Sequence, residues 1–373
     1  MRRRPFSDIF SKAPIRLGMV RENTSGSDVS PFVTVIIPCR NERDYVGAAL
    51  DSVLANDWPA ERMEVLVVDG MSDDGTRDVV RAYANRDARV KLLDNAGLFA
   101  GDAMNVGWGA ARGDLVARLD AHGALPPDYL RRAAAILGER REVWAVGGPM
   151  TRVGRDESSR LVSAITSSNF ATGNAGKRCG DYEGPVDAVA FPVWRRDVFA
   201  RVGPFDEAFI RNQDDDFDMR LRGAGGVVYQ TPGLRVQYFV RGTPARLLRQ
   251  YFQYGAWKTL LLKKHGRLPG WTPLAPPAFF AALALGLAGG LITPYAWLAA
   301  GALASIYICA DVIASAAVGA KAGFRNFLKA LAVFPALHFL YAAGVASGIW
   351  YSYGRGFSAL DIRRRGKFSA LTR

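Results

Sequence analysis

The feature that most restricts the fold of this chain is the scarcity of charge between Pro273 and Tyr351. Roughly 20 apolar residues cross a hydrocarbon core of about 30 Å. Windows of that length run from Pro273 to Ile292, Tyr295 to Val318 and Phe327 to Trp350, with a Thr293-Pro294 turn after the first. The expectation is a transmembrane region of about three segments over residues 273–351. Asp311, inside the second window, must face protein or water, because an ionised carboxylate facing lipid is costly. If the preceding domain lies inside, the basic connection Lys321, Arg325 and Lys329 also falls inside, as the positive-inside bias prefers. A third crossing then carries Arg363, Arg364, Arg365 and Lys367 outside, against that bias. Pro335 leaves a kinked or re-entrant third segment as the alternative. Three crossings are the expectation taken forward.

The formal net charge of +13 is distributed to suit a membrane. Basic residues gather at Arg2 to Arg4, at Lys263, Lys264 and Arg267 before the apolar region, and in the tail at residues 352–373. No basic helix with interleaved aromatics lies in the soluble part, which argues against nucleic acid as a partner. Cys39, Cys179 and Cys309 are odd in number and widely spaced, so they suggest neither a disulfide framework nor a zinc cage. Residues 1–30 contain arginines but no uninterrupted apolar core of a signal peptide. They read as a flexible or interfacial arm before a cytoplasm-facing domain.

From about 31 to 242 the texture is different. "VTVIIP", "EVLVVD", "VKLLDN" and "DLVARLD" are short buried-strand patterns, and helical periods alternate with them. This predicts an α/β domain with a mainly parallel sheet covered on both faces, and ligands beyond the carboxyl ends of its strands. "GMSDDGT" lacks both the lysine of a P-loop and the spacing of a dinucleotide fingerprint. The strand ends carry carboxylates instead: Asp69, Asp73, Asp74 and Asp120. These can accept hydrogen bonds from a base or ribose, or hold a hard cation against a diphosphate; singly, each also suits a turn or helix cap. Residues 243–267 have apolar positions at helical spacing (Leu247, Leu248, Tyr251, Phe252, Leu261) and read as an amphipathic helix in the membrane interface, the alternative being a helix packed on the soluble domain.

Five blocks carry a resemblance: "VTVIIPCRNERDYVGAALDSVLANDWP", "EVLVVDGMSDDGT", "AMNVGWGAARGDLVARLDAHG", "PVDAVAFPVWRRDVFARVGPFDE" and "NQDDDFDMRLRGAGG". In order and spacing they resemble family 2 inverting glycosyltransferases, and the versions "VVDGMS", "LDAH" and "RNQDDDF" followed by "YFQYGAWK" look most like the ExoA-like subgroup, glucosyltransferases of succinoglycan-type exopolysaccharide assembly. The resemblance implies a GT-A-like domain that binds a UDP-sugar. Pro38, Arg40, Asn41 and Glu42 then form the first nucleotide-contacting loop, Asp69 reads the uracil, Asp73 belongs to the second loop, and Asn105 meets the ribose or diphosphate. The arginine or lysine usual just upstream of Asn105 is replaced by Ala103-Met104.

Asp120 and His122 occupy the two ends of the family's D-x-D metal motif. A divalent cation there stabilises the departing diphosphate, and imidazole shifts the preference from Mg2+ toward Mn2+. His122 is either a ligand of that cation or the group that orients Asp120. Transfer of the family's Glu-Asp-x-Asp pattern makes Asp214 the base that takes the acceptor's proton, with Asp215 the runner-up because the run of three aspartates permits a register error of one. Asp218 reads as a helix cap or solvated group, and Arg220 as a residue holding the cluster together.

"QYGAW" resembles the Q-x-x-R-W motif of processive synthases, with Ala256 in place of its arginine. Gln253 and Trp257 are thus acceptor candidates, although Trp257 equally suits a membrane-interface aromatic. The missing arginine favours addition of one sugar. The expected function is transfer of one sugar, glucose from UDP-glucose, to a polyprenyl-diphosphate-linked glycan at the inner membrane of a bacterium. The rivals are a polyprenyl-phosphate sugar synthase using Lys263, Lys264 and Arg267 as a phosphate clamp, a processive synthase, and a non-catalytic membrane scaffold.

Overall fold

A computed structural model of the chain describes residues 30–173, 179–268 and 270–365. The expected arm before Ser30 and the tail beyond Arg365 lie outside the described residues. In chain order the strands are β1 (Val33–Cys39), β2 (Met63–Asp69), β3 (Val90–Asp94), β4 (Leu115–Arg118), β5 (Gly123–Ala124), β6 (Val143–Gly148), β7 (Met150–Gly154), β8 (Gly184–Pro185), β9 (Ala190–Arg195), β10 (Val227–Gln230) and β11 (Val236–Val240). The helices of the same region are α1 (Val46–Leu54), α2 (Thr76–Ala84), α3 (Ala100–Ala110), α4 (Tyr129–Glu139), α5 (Glu157–Thr166), α6 (Asn169–Thr172), α7 (Asp197–Val202) and α8 (Gln213–Gly223).

Eight strands form one sheet in the order β3-β2-β1-β4-β9-β6-β10-β8, and β5-β11-β7 form a second. The pairs β3–β2, β2–β1, β1–β4 and β6–β10 are parallel, while β9 runs antiparallel to both β4 and β6. Alternate side chains of a strand point to opposite faces, so a strand covered on both sides must be apolar throughout. β1 shows this. Val33, Val35 and Ile37 enter a core shared with α1 and α4, whereas Ile36 enters the opposite core with Met104, Trp108 and Phe217. β2 divides in the same way, with Val65 and Val67 on one face and Leu66 and Val68 on the other.

After the sheets come α9 (Pro244–His265), α10 (Ala275–Gly289), α11 (Pro294–Ala322), α12 (Phe324–Ile349) and α13 (Ala359–Arg365). The start of α9 is set by Thr243, whose hydroxyl accepts from Arg246 N, and by Pro244 in the first turn. Its end carries Lys263, Lys264 and His265, favourable at the negative end of a helix, and Gly266 closes it at φ 68°. Segments Thr272–Gly289, Pro294–Ala322 and Phe324–Gly354 are long and apolar enough to cross a membrane.

One expectation changes here. The apolar residues of α9 do not face outward: Leu247 joins a core with α5 and α12, and Ala256, Trp257, Leu260 and Leu261 join another with Phe209, Met219 and Ile362. α12 covers a further side. Gly255 lies against the Tyr341 backbone, Gly344 against Phe252, and Gly348 against Ala256 and Thr259, so small residues bring the two backbones together. Helical spacing alone predicts an apolar stripe, and here protein covers that stripe. Asp311 is buried, as the cost of exposure to lipid requires, and accepts from Ser315 Oγ at 3.2 Å.

Candidate active site

The first two strand ends build one wall. β1 and β2 run in register to Cys39 and Asp69, so the loops that follow them lie side by side and bond to each other. Asn41 N donates to Ser72 Oγ (2.8 Å), Asp73 N to Asn41 Oδ1 (3.1 Å), and Glu42 N to Thr76 Oγ1 (2.8 Å). Asn41 and Met71 adopt left-handed backbone conformations, φ 54° and 55°, which non-glycine residues favour little. The exposed Arg40, Asn41 and Asp73 border the cleft, with Pro38 half-buried at the end of β1.

Asp69 differs from its expected role. It is fully buried and accepts from Ser72 N (2.9 Å), Ser72 Oγ (2.5 Å) and Arg77 Nη1 (2.8 Å). A carboxylate so enclosed shapes the loop that would hold a base and is not exposed to touch one. Asn105 is similarly committed. Its amide donates to the Phe205 carbonyl (3.0 Å) and Glu207 Oε1 (2.9 Å), and its oxygen accepts from Phe205 N (2.9 Å). It therefore fixes the 205–207 loop, and its hydrogen-bonding groups are not directed to a diphosphate.

Asp120 lies two residues beyond Arg118, the last residue of β4, and its carboxylate is partly exposed. Arg118 Nε donates to its Oδ1 at 2.8 Å. Burial would push its carboxyl up, but Arg118 first, then His122 and Arg241, hold it below the ordinary carboxylate range. A turn closed by Gly123 N donating to the Asp120 carbonyl (2.8 Å) brings His122 under the cleft. His122 Nδ1 lies 3.1 Å from Glu42 Oε1, and its ring meets the Tyr238 ring edge-on at 4.8 Å. Glu42 is itself buried and paired with Arg241.

A carboxylate on Nδ1 fixes the tautomer that carries its proton there, which leaves Nε2 with a free lone pair. His122 Nε2 is buried without a hydrogen-bond partner among the described residues. Asp120 and His122 thus fit a divalent cation in part: one open carboxylate and one unpartnered nitrogen. No group of three histidine, cysteine or acidic side chains that could hold a metal occurs among the described residues. The remaining ligands would have to be phosphate oxygens and water.

The opposite wall is the first turn of α8, entered through Asn212 at φ 60°. Its four acids have different surroundings. Asp214 reaches solvent within the cleft. Burial there, and Asp215 next to it, push its carboxyl up, against the opposing pull of Arg118 and Lys258. Asp215 accepts from Asn212 Nδ2 (2.8 Å) and Lys258 Nζ (2.6 Å). Asp216 is fully buried among Lys264 Nζ (2.7 Å), His265 Nε2 (2.8 Å) and Arg220 (3.0 Å). Asp218, expected as a helix cap or solvated group, is buried on the side of Asp214, and burial followed by repulsion from Asp214 and Asp215 pushes its carboxyl well above the ordinary range. Arg220 holds Asp216 as expected of a residue tying the cluster, and also donates to the carbonyls of Val202 (2.6 Å) and Pro204 (2.8 Å).

Two acceptor candidates are corrected by burial. Trp257 is fully buried with its ring 5.8 Å from that of Phe209, so it neither stacks on an acceptor nor reaches lipid. Gln253 is buried and its Oε1 accepts from Arg211 Nε at 3.1 Å. Arg118, Arg241 and Lys258 were not singled out from the sequence. Arg118 was detectable: alternation along "VARLD" places it on the same side as Asp120. Arg241 and Lys258 have no local signal, since their partners Glu42 and Asp215 are far away in the chain.

Comparisons with known proteins bear on the family and the fold. The family described as "Glycosyl transferase family 2" matches residues 34–203. Succinoglycan biosynthesis protein ExoA of Rhizobium meliloti is 30% identical over 338 residues, 89% of this chain and 96% of that protein. A dolichyl N-acetyl-alpha-D-glucosaminyl phosphate 3-beta-D-2,3-diacetamido-2,3-dideoxy-beta-D-glucuronosyltransferase of Methanococcus voltae is 26% identical, covering 62% of this chain and 74% of its own length. Among solved structures, mannosyltransferase PcManGT from Pyrobaculum calidifontis, in complex with GDP-Man and Mn2+, superposes with a TM-score of 0.54 at 22% identity, covering 87% of this chain and 88% of its own. That likeness extends to the fold.

Proposed function

The chain belongs to glycosyl transferase family 2, and from that membership we propose that it transfers one glucose from UDP-glucose, with inversion, to a glycan borne on a polyprenyl diphosphate. Its coarser character is a glycosyltransferase of exopolysaccharide or glycan synthesis with helices of membrane length. The observation that carries the proposal is the position of Arg118, whose guanidinium donates to Asp120 Oδ1 at 2.8 Å and whose charge also acts on Asp214. One cation thus links the strand end suited to a diphosphate with the carboxylate suited to proton abstraction.

In this reading the loops after β1 and β2 hold the nucleotide, through Pro38, Arg40, Asn41 and Asp73, with Asp69 shaping the second loop; Glu42, expected at the nucleotide, is instead buried against His122 and Arg241. A divalent cation held by Asp120 and His122 would supply Lewis-acid stabilisation of the leaving diphosphate. Mn2+ is proposed over Mg2+ because His122 offers an imidazole nitrogen. Arg118 adds a fixed positive charge beside the leaving group, and Glu42 keeps His122 in the tautomer that presents Nε2. Asp214 takes the proton of the attacking hydroxyl as the new glycosidic bond forms and the bond to UDP breaks. Asp215, tied to Lys258 and Asn212, is a poorer base because its charge is already compensated.

The lipid-linked acceptor is supported by the ExoA likeness, by the lipid phosphate in the name of the Methanococcus voltae relative, and by the apolar helices that follow the catalytic fold. The rival lipid-phosphate synthase is weakened because two of its three clamp residues are engaged, Arg267 alone of the three being left over and exposed. Lys263 donates to the Ser352 carbonyl at 2.6 Å, and Lys264 binds Asp206 and Asp216. Incubating the detergent-purified protein with UDP-sugars, Mn2+ and bacterial lipid extract tests the reading. A UDP-glucose-dependent mass increase of a polyprenyl-diphosphate glycan is expected. Transfer to polyprenyl phosphate alone, or no binding of any UDP-sugar by calorimetry, would overturn it.

A further inference from the structure

Length and composition allow three membrane crossings, but the contacts of α12 distinguish it from α10 and α11. At its start Lys329 Nζ pairs with Glu157 Oε1 of α5 at 2.8 Å. At its middle His338 Nε2 donates to the Phe170 carbonyl of α6 at 2.8 Å. Toward its end Gly344 and Gly348 press on α9, whose Lys258 and Trp257 hold the catalytic domain. Just beyond, the Ser352 carbonyl accepts from Lys263. The chain then returns to the catalytic domain: Ile362 is buried with Phe209 and Ile210, and Arg363 Nη2 pairs with Asp102 Oδ1 at 2.8 Å.

Twenty-six residues of helix rise about 39 Å. Catalytic-domain residues therefore touch this helix or its immediate continuation from one end to the other. The two ends of a crossing helix are separated by about 30 Å of hydrocarbon, where a charged, hydrogen-bonding domain surface is not tolerated. The α10–α11 pair differs. Its turn is bare, with Leu291 and Ile292 83% and 90% exposed, while Thr272 lies beside Gly173 and Val318 packs with Leu161 and Val162. α11 also meets α6 at mid-helix, where the Tyr307 ring lies 5.5 Å from that of Phe170, so the pair stands on the catalytic domain through Thr272 and through α11 from Tyr307 to Val318, and its tip projects away.

We propose that α10 and α11 alone cross the bilayer, that α12 lies along the membrane surface with its outer face in lipid, and that the C-terminal tail remains on the catalytic side. The outer face of α12 suits a lipid surface. Phe324, Leu328, Phe339, Ile349 and Trp350 are exposed along it, and the charges Arg325, Lys329 and Arg355 fall at its ends. This placement also removes the conflict between a third crossing and the positive-inside bias, because the basic tail is no longer carried across.

Three single-cysteine additions to the full-length protein test the proposal in membrane vesicles of both orientations, with an impermeant maleimide and the labelled peptide identified by mass spectrometry. Arg86→Cys marks the catalytic side, Ile292→Cys the tip of the hairpin and Thr372→Cys the tail. Labelling of positions 86 and 372 in one orientation and of 292 only in the other is the expected result. If 372 labels together with 292, α12 crosses and the proposal fails. If all three label together, the hairpin does not cross and it fails equally. A peptide tag after Arg373, digested by protease only in the orientation that labels position 86, gives the same reading without cysteine reactivity.

Discussion

The two walls of the cleft are held in different ways. On the donor wall each key group is fixed by the sheet or by close neighbours: Asp69 by Ser72 and Arg77, Asp120 by Arg118, and the two loops by the register of β1 against β2. On the base wall the segment 205–216 is gripped from outside the sheet. Asn105 holds Phe205, Gln253 holds Arg211, Lys258 holds Asp215, Lys264 holds Asp206 and Asp216, and Arg363 of the tail donates to the Glu207 carbonyl. Most of these come from α9 and α13, the helices that flank the membrane region. The donor wall is thus held within the α/β fold, whereas the base wall is held by that fold and by the membrane-proximal helices together. If Asp214 is the base, as proposed, such an arrangement would tie it to the helices that flank the membrane region.

The largest expected effect falls on the base. Asp214→Asn should lower kcat by about 10²–10⁴-fold with UDP-sugar affinity preserved, since general-base contributions are of that size. Full transfer by Asp214→Asn together with loss in Asp215→Asn would move the base by one position.

Next comes the anchor beneath it. Asp216→Asn leaves Lys264, His265 and Arg220 without their buried partner and should cost about 3–5 kcal/mol of stability, read as a fall in Tm in detergent. Burial would raise the Asp216 carboxyl, but Lys264, Arg220 and His265 lower it below its unfolded value. Its contribution is therefore complete above the ordinary carboxyl range, near pH 4, and lost as pH falls through the lowered value. Asp216→Asn should flatten the acid side of the stability profile, and an unchanged profile would remove Asp216 from the anchor.

A smaller effect separates the walls directly. Lys258→Met removes a cation that holds Asp214 down against Asp215 and Asp218 on its own helix, leaving Arg118 of β4 as the remaining opposing charge. The acid limb of the pH–rate profile should move to higher pH, read as a loss of kcat that grows as the pH is lowered. UDP binding should be unchanged and Lys258→Arg should restore the limb. Loss of nucleotide binding in Lys258→Met would mean that the two walls are not independent.

The mildest change is on the donor wall. His122→Asp should keep transfer and relax the metal preference toward Mg2+, as a carboxylate replaces imidazole. An unchanged Mn2+ to Mg2+ activity ratio would assign His122 to orienting Asp120.

What was legible beforehand follows the same division. β1 to β4 are visible as apolar runs because strands covered on both faces need them, and Asp120 stands out because it ends such a run. Asp69 and Asn105 were expected at the donor; Asp69 is instead enclosed by Arg77 and Ser72, and the half-buried Asn105 is bonded to the distant Phe205 loop. Trp257 was read from a motif that describes residue order and not which side of α9 is covered. The amphipathic stripe of α9 was visible, but a stripe covered by protein and one covered by lipid have the same spacing. Similarly, three apolar windows report sufficient length to cross, while the ends of α12 tied to Glu157 and, through the tail, to Asp102 are tertiary facts.

The sequence by itself determined the parallel α/β domain, its carboxylate-bearing strand ends, the run of aspartates and the membrane-length helices, because each is written in local periodicity and spacing. Only the tertiary structure decided which aspartate reaches the cleft, which lysine neutralises its neighbour and which apolar helix remains beside the catalytic domain. Those outcomes depend on burial and on charges brought together from distant parts of the chain, and neither quantity is contained in a window of neighbouring residues.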